Sequence, residues 1–305
     1  MQNIINVKGL SKQFHNLTAV NQLSFTVNKG DVYGFLGQNG AGKSTTMRML
    51  LTLIKPTEGS IEIAGMDLFK HRKEVLKNIG AVIEKPDVYK YLSGYENLNL
   101  FAKLSGIRLS RQQTMQQLAT VGLEQRANDK VKTFSQGMKQ RLGIAIALVH
   151  NPQIIILDEP TNGLDPQGIA DIRNMILHLS NELKKTIVVS SHLLSEIEQI
   201  ATRVLIIDKG KKLIEGNTNE LFDASQTIVE IETTNNNFAF EQLKQSSWNN
   251  FLLKERITKP VLKMNKKDIP QLHKDLITMN IELIAMQPKH SLEDYFLSIT
   301  SNNQL

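Results

Sequence analysis

Cysteine is absent from the 305 residues, which excludes disulfides, thiolate metal sites and thiol nucleophiles together. That absence suits a reducing cytosol. Long apolar runs are missing as well: the longest uncharged one, Leu142 to Val149, falls far short of the roughly 18 residues that begin to span a bilayer. The chain is therefore expected not to cross a membrane. No basic stretch followed by an apolar core opens the sequence, so Met1-Gln2-Asn3-Ile4 does not read as a secretory signal. Neither an internal repeat nor a coiled-coil heptad is visible. There is also no run of five like charges, although 36 Lys and Arg against 30 Asp and Glu leave a net charge of +6. An excess of this size suits an anionic neighbour, such as a phosphate, nucleic acid or lipid headgroup, and it equally suits an ordinary solvated surface.

What remains, 41% hydrophobic and 22% charged residues, is enough for one large or two small globular domains. Up to about Gly216, short Val/Ile/Leu runs alternate with amphipathic segments and Gly-rich turns. Ile154 to Leu157, Thr186 to Val189 and Val204 to Ile207 read as strands buried on both faces of a parallel sheet. Asp31 to Leu36 reads as another, followed by a turn over Gly37 to Gly42 and a helix from Lys43 to about Leu53. Asn3 to Lys8 and Leu23 to Val27 are predicted as strands of an antiparallel flap, with a hairpin-like turn at Asn28-Lys29-Gly30. The remainder, residues 217–305, has another texture. Strands at Thr227 to Glu232, Phe251 to Arg256, Val261 to Met264 and Ile281 to Met286 are interleaved with helices at Phe240 to Gln245 and Asp268 to Met279. That βαββαβ order predicts a small α+β domain of ferredoxin-like type.

The strongest chemical signal is Gly37-Gln38-Asn39-Gly40-Ala41-Gly42-Lys43-Ser44-Thr45, a phosphate-loop pattern lying between a predicted strand and a predicted helix. Glycines there let backbone N–H groups converge on phosphate oxygens, and the helix N-terminus adds positive potential. Lys43 is placed to reach the β- and γ-phosphates, and Ser44 offers a Mg²⁺ ligand. A second signal is Asp158-Glu159, closing the apolar run Ile154 to Leu157. A carboxylate at the end of a central strand would hold Mg²⁺ beside the phosphate loop, and its neighbour would orient or deprotonate an attacking water.

The order of these and weaker motifs over residues 3–216 resembles the nucleotide-binding subunit of ATP-binding cassette (ABC) transporters. Thr133-Phe134-Ser135-Gln136-Gly137-Met138-Lys139-Gln140-Arg141 is similar to that family's signature motif, with Phe134 for the usual Leu and Gln136 for the first usual Gly. Asn162-Gly163-Leu164-Asp165 resembles its D-loop, and His192 in Ser190-Ser191-His192 its switch histidine. Phe14 stands where the family places the aromatic that stacks on adenine. The resemblance implies an α/β ATPase domain over 1–216 with a central parallel sheet, an antiparallel flap and a helical subdomain at about 85–150. It implies ATP and Mg²⁺ as cofactors, Glu159 and His192 as catalytic residues, and Ser44, Asp158 and Glu84 at the metal. Nucleotide contacts would come from Phe14, Gly37 to Thr45, Ser135, Gly137 and Asp165.

Because Ser135 and Gly137 cannot reach their own phosphate loop in that family's geometry, the resemblance also implies a head-to-tail dimer with two ATPs at the interface. A separate polytopic permease would be the membrane partner, docking near Tyr89, Tyr91 and Tyr95, and the subunit would be peripheral on the cytoplasmic face. Glu84 occupies the position where most of the family carries Gln, a feature resembling the subgroup that serves bacitracin and lantibiotic resistance. The tail from Ser291 to Ile299 resembles the end of exporter-type subunits. Export of antimicrobial peptides or drugs is thus expected, with a soluble ABC-type ATPase acting on nucleic acid or ribosomes as the alternative. Against that alternative stand the single phosphate loop, the lack of cysteine zinc sites and the absence of a long coiled coil between Lys43 and Asp158, so no nucleic acid is expected.

Overall fold

The computed structural model describes residues 2–221, 227–253 and 259–289, and the chain divides into two compact units, Met1–Asn217 and Thr218–Leu305. The first unit begins with two long antiparallel strands, β1 (Asn3–Phe14) and β2 (Leu17–Asn28). Their hairpin lies at His15-Asn16, with His15 at φ +47°, and not at Asn28-Lys29-Gly30. Histidine and asparagine tolerate the left-handed region well enough to turn a hairpin without a glycine, which hid the turn from a reading keyed to Gly. Asn28 to Gly30 instead carries the chain from the flap into β3 (Val32–Leu36), with Gly30 at φ +86° and the Asn28 N–H donating to Asp31 Oδ2 at 2.9 Å.

After β3 come α1 (Lys43–Leu50), β4 (Glu58–Ile63), β5 (Met66–Asp67), α2 (Arg72–Leu76) and β6 (Ile79–Val82). The strands β4 and β5 complete the flap in the order β2-β1-β4-β5. Three helices follow, α3 (Gly94–Leu104), α4 (Arg111–Thr120) and α5 (Gln136–Leu148), before the chain re-enters the sheet. Ser93 with Glu96 and Ser110 with Gln113 form capping boxes at α3 and α4, each satisfying two otherwise orphaned donors. Then β7 (Ile154–Leu157), α6 (Pro166–Asn181), β8 (Thr186–Ser191), α7 (Leu194–Ile200), β9 (Arg203–Asp208) and β10 (Lys211–Asn217) close the unit.

The central sheet has the order β10-β9-β3-β8-β7-β6, parallel except for β10. Every residue of β3, β7 and β8 is buried, which is why these strands read as continuous apolar runs without alternation. Phe25, Tyr33 and Phe35 pack between flap and sheet, with the Phe25 and Phe35 ring centroids 5.2 Å apart edge to face. At the opposite end of the strands from the phosphate loop, Arg203 pairs with Asp31 at 3.3 Å and Glu215 at 3.2 Å, and the Tyr33 hydroxyl donates to Glu215 at 2.7 Å. Burial, and then the neighbouring Glu215 carboxylate, push the Tyr33 phenol well above its usual ionisation range.

Two glycines let α5 settle directly on β6 and the segment after it. A Cβ at Gly80 would come within 2.1 Å of the Ala147 carbonyl oxygen, and one at Gly143 within 2.6 Å of Pro86 Cγ.

The second unit contains α8 (Thr218–Leu221), β11 (Thr227–Thr233), α9 (Asn236–Lys244), β12 (Val261–Met264), α10 (Ile269–Thr278) and β13 (Leu283–Lys289). Its antiparallel sheet runs β12-β11-β13, and β11 alternates strictly between buried and half-buried positions. Trp248, Leu243, Leu272 and Leu276 cover one face, and the Trp248 indole N–H donates to Asp275 Oδ2 at 2.9 Å. Of the strand predicted at Phe251 to Arg256, Leu252 forms a single antiparallel bridge to Leu262, Phe251 lies in a turn, and 254–258 lie outside the described residues. The tail from 291 to 299 lies outside them too. Among the described residues no helix is long and apolar enough to cross a membrane.

Candidate functional site

The parallel register sets Leu36 of β3 beside Ser191 of β8, and Leu157 of β7 beside Val189, so the loops leaving all three strands emerge at one edge. Crevices outside the carboxyl ends of parallel strands are where ligands bind in open α/β sheets. The loop after β3 is built for backbone exposure: a Cβ at Gly37 would lie 2.6 Å from the Ile207 carbonyl oxygen, and one at Gly42, at φ +103°, 2.6 Å from that of Ala19. Gln38, Asn39 and Gly40 are exposed at its rim, and Ala41 is buried beneath. Lys43, only 5% exposed, folds back on its own loop and donates to the carbonyl oxygens of Gly37 at 2.6 Å and Gln38 at 3.2 Å. Its ammonium also lies 3.1 Å from Glu159 Oε1, an ion pair without hydrogen-bond geometry.

The residues after β7 and β8 interlock. Ser190 Oγ donates to Asp158 Oδ1 at 2.6 Å and accepts from the Glu159 backbone N–H at 2.8 Å. His192 Nδ1 stands 2.8 Å from Glu159 Oε2. Glu159 holds φ at +49°, an uncommon conformation for a non-glycine residue, and it turns the carboxylate out of the strand toward Lys43 and His192. A cleft of about 660 Å³ opens here, lined in part by Ser44, Glu84, Asp158, Glu159, Gln136 and Asn162. The structure thus brings together Lys43, Ser44, Glu84, Asp158, Glu159 and His192. Glu84 forms an ion pair with Arg48 of α1, and its backbone sits at φ +60°.

The other predicted contact residues do not themselves line this cleft, although Gln136, between Ser135 and Gly137, does. Ser135 caps α5 by accepting from Met138 N–H at 3.2 Å, and Gly137 lies in the first turn of that helix. Asp165 caps α6 by accepting from Gly168 N–H at 3.0 Å. Phe14, at the end of β1, is 40% exposed with the Lys12 ammonium 4.8 Å from its ring centroid. The signature and D-loop segments do touch, through Gln136 Nε2 donating to the Asn162 carbonyl oxygen at 3.1 Å. Two residues of the site went unassigned from sequence: Ser190, and Arg48. A serine in a fully buried strand needs a partner, and Arg48 lies one helical turn beyond Ser44, hence on the same face of α1.

Among the described residues no group of three or more His, Asp or Glu side chains forms a metal cage on its own. The donor set still fits Mg²⁺, which usually takes one or two protein oxygens and completes its shell with phosphates and water. Asp158 is 2% exposed at the cleft with a single oxygen engaged by Ser190, and Ser44 lines the same space.

A strand, a glycine cradle, a buried lysine and an acid pair at the end of another strand of the same sheet together define a nucleoside-triphosphate hydrolase. The ABC transporter family model matches residues 20–162. The chain belongs to that family, as its ATP-binding subunit, an ATPase whose hydrolysis is coupled to transport. It is 38% identical over 309 aligned positions, spanning 100% of this chain and 98% of the relative, to an uncharacterised ABC transporter ATP-binding protein, YhcH of Bacillus subtilis. It is 46% identical over 245 residues, 80% of each chain, to the bacitracin transport ATP-binding protein BcrA of Bacillus licheniformis. Among solved structures it is similar to CbiO1 of Clostridium perfringens, part of the ABC transporter complex CbiONQ, at 26% identity and a TM-score of 0.66, covering 73% of this chain and 91% of that one. The dimeric post-hydrolysis cassette MJ0796, bound to ADP and Pi, matches at 27% identity and a TM-score of 0.62, covering 70% and 98%.

Proposed function

We propose that this subunit drives export of an antimicrobial peptide or related drug through a separate polytopic permease, working as a head-to-tail dimer on the cytoplasmic face of the membrane. The observation that carries the reading is the 46% identity to a bacitracin transport subunit over four-fifths of both chains, joined to Glu84 lining the cleft where most of the family has Gln. A lantibiotic transport subunit, SrtF of Streptococcus pyogenes, at 40% identity over 99% of its length, points the same way.

In the proposed site, the N–H groups of Gly37 to Thr45 hold the phosphates, and Lys43 exchanges its own loop's carbonyls for the β- and γ-oxygens. Phe14 offers its exposed ring to the adenine. Ser44, Asp158 and Glu84 would hold Mg²⁺, which when bound neutralises phosphate charge. Glu84 pairs with Arg48 through one oxygen only, and as a full charge it would bind more strongly than the carbonyl dipole of a Gln. Glu159 takes a proton from water as its oxygen attacks the γ-phosphorus, ADP leaves, and inorganic phosphate forms. His192 holds Glu159 through the 2.8 Å contact. Ser135 and Gly137 of a second copy, with Asp165 nearby, complete the site from outside. Residues 217–305 form an accessory domain of ferredoxin-like type that supplies no catalytic group.

The test is extraction from native membranes in mild detergent with identification of stoichiometric partners, followed by a protection assay. A polytopic membrane protein, and resistance to a bacitracin- or lantibiotic-class peptide that Glu159→Gln abolishes, are expected. Recovery with ribosomes or nucleic acid would overturn the transporter-specific part of the reading.

A further inference from the structure

A fourth carboxylate joins the two segments that carry Glu159 and His192. Glu196, half-buried in the first turn of α7, uses one oxygen, Oε2, to accept from Thr161 Oγ1 at 2.8 Å and from Ser191 Oγ at 2.7 Å. Thr161 stands two residues beyond Glu159, across Pro160, and Ser191 immediately precedes His192. Ser191 Oγ in turn accepts from the Leu193 N–H at 3.0 Å, closing a tight turn around the histidine. The segments leaving β7 and β8 are therefore tied at three levels: Ser190 to Asp158 and Glu159 N–H, His192 to Glu159, and Glu196 to Thr161 and Ser191.

The middle tie is the one that chemistry uses, and it is flanked on both sides by the other two. Hydrogen bonds to a charged acceptor are about twice as strong as neutral ones. A single carboxylate oxygen receiving two hydroxyls thus ties both segments at the level just outside the working pair. Short ties of this kind matter because a displacement of about 1 Å in a catalytic group can cost on the order of 10²-fold in rate.

We infer that Glu196 is a positioning residue for ATP hydrolysis, holding His192 and Glu159 in register by cross-linking the D-loop side to the switch-histidine side. The inference rests on Glu159 and His192 being the hydrolytic pair. The side-chain bonds of Glu196 go to Thr161 and Ser191 and none to the phosphate loop, so its effect is expected on turnover and not on ATP affinity.

Two measurements on the full chain test it. ¹⁵N-histidine NMR of the nucleotide-free protein, with His192 assigned by loss of its signal in His192→Gln, reads the Glu159 contact directly. Glu196→Ala should shift the His192 ring-nitrogen signals and leave the other histidines in place, and Glu196→Gln, which keeps an acceptor oxygen, should restore most of the native position. Single-turnover hydrolysis should fall about tenfold in Glu196→Ala with ATP affinity unchanged, and Glu196→Ala should add little in a His192→Ala background, because residues acting as a unit are non-additive. An unmoved His192 signal in Glu196→Ala, or an equal loss of rate in both backgrounds, overturns the inference. If Glu159→Gln itself leaves turnover intact, the assignment of the base fails, while the NMR result still decides the tether.

Discussion

Met1–Asn217 buries Lys43, Asp158 and Asp31 as well as Gln140, Asn97 and Ser190, whereas every buried polar residue described in the second unit is a threonine: Thr218, Thr227 and Thr233. Both units have an apolar core organised on a sheet. A buried charge costs several kcal/mol unless it is paired, so a fold selected for stability alone would avoid it. The first unit carries that cost at both ends of its central strands: at the site Lys43 is compensated by two carbonyls and a carboxylate, and at the far end Asp31 is paired with Arg203. Among its described residues the second unit buries no charged side chain, and in its core Trp248, a neutral donor, bonds to the half-buried acid Asp275.

If this contrast separates chemistry from scaffolding, substitutions in the two units should fail in different ways. Glu159→Gln should give the largest effect, lowering steady-state ATP turnover by about 10²- to 10⁴-fold while the filter-binding affinity for ATP is retained. Trp248→Ala should remove about 3–5 kcal/mol from the second unit and split thermal unfolding into two calorimetric transitions, with ATP turnover at 25 °C unchanged. Loss of turnover in that variant would break the separation. Ser135→Ala removes a helix cap worth about 1 kcal/mol. A fall in dimer-dependent turnover beyond that small change in melting temperature would show that the hydroxyl serves a second copy's nucleotide as well as α5.

The smallest effect concerns pH. The Ser93 backbone N–H, then the Ser93 hydroxyl and Lys130, hold Glu96 below the usual glutamate range. A depressed carboxylate contributes stability above its unfolded-state pKa and loses it as pH falls through its folded-state value. Wild type should therefore melt slightly above Glu96→Gln at neutral pH, and the difference should vanish on acidification. Gln is a fair substitute, since α4 closes its own capping box with Gln113.

Much of the first unit was legible because its signals are local. Gly37 to Ser44 places a phosphate cradle by spacing alone, and four-residue apolar runs announced β7, β8 and β9 as central strands. The site's internal wiring was less legible: Ser190, Arg48 and Glu196 have ordinary side chains whose importance comes from distant segments meeting in space. The flap's hairpin was misplaced for a local reason, because His15-Asn16 turns without the glycine that Asn28-Lys29-Gly30 advertises. In the second unit β11, α9, β12, α10 and β13 follow the predicted order, helped by alternation in Thr227 to Glu232 and by the amphipathic α10, but the strand predicted at Phe251 to Arg256 reduces to one bridge among the described residues, and strand ends shifted by two or three residues, as at β13.

The seating of Pro86 against Gly143 makes a mechanical part of what is otherwise a packing detail. There is no room for even one added carbon between them, so the segment that begins at Glu84 rests directly on α5 at this point. The stretch of α5 from Gly143 back to Ser135 is a stiff rod of about 12 Å at 1.5 Å per residue. The loop after β6 and the body of α5 are thus packed without a gap, and the same helix carries the Ser135 cap at its N-terminal end. Substituting Gly143 with alanine would drive the new methyl into Pro86 and push the loop that carries Glu84 away from the helix.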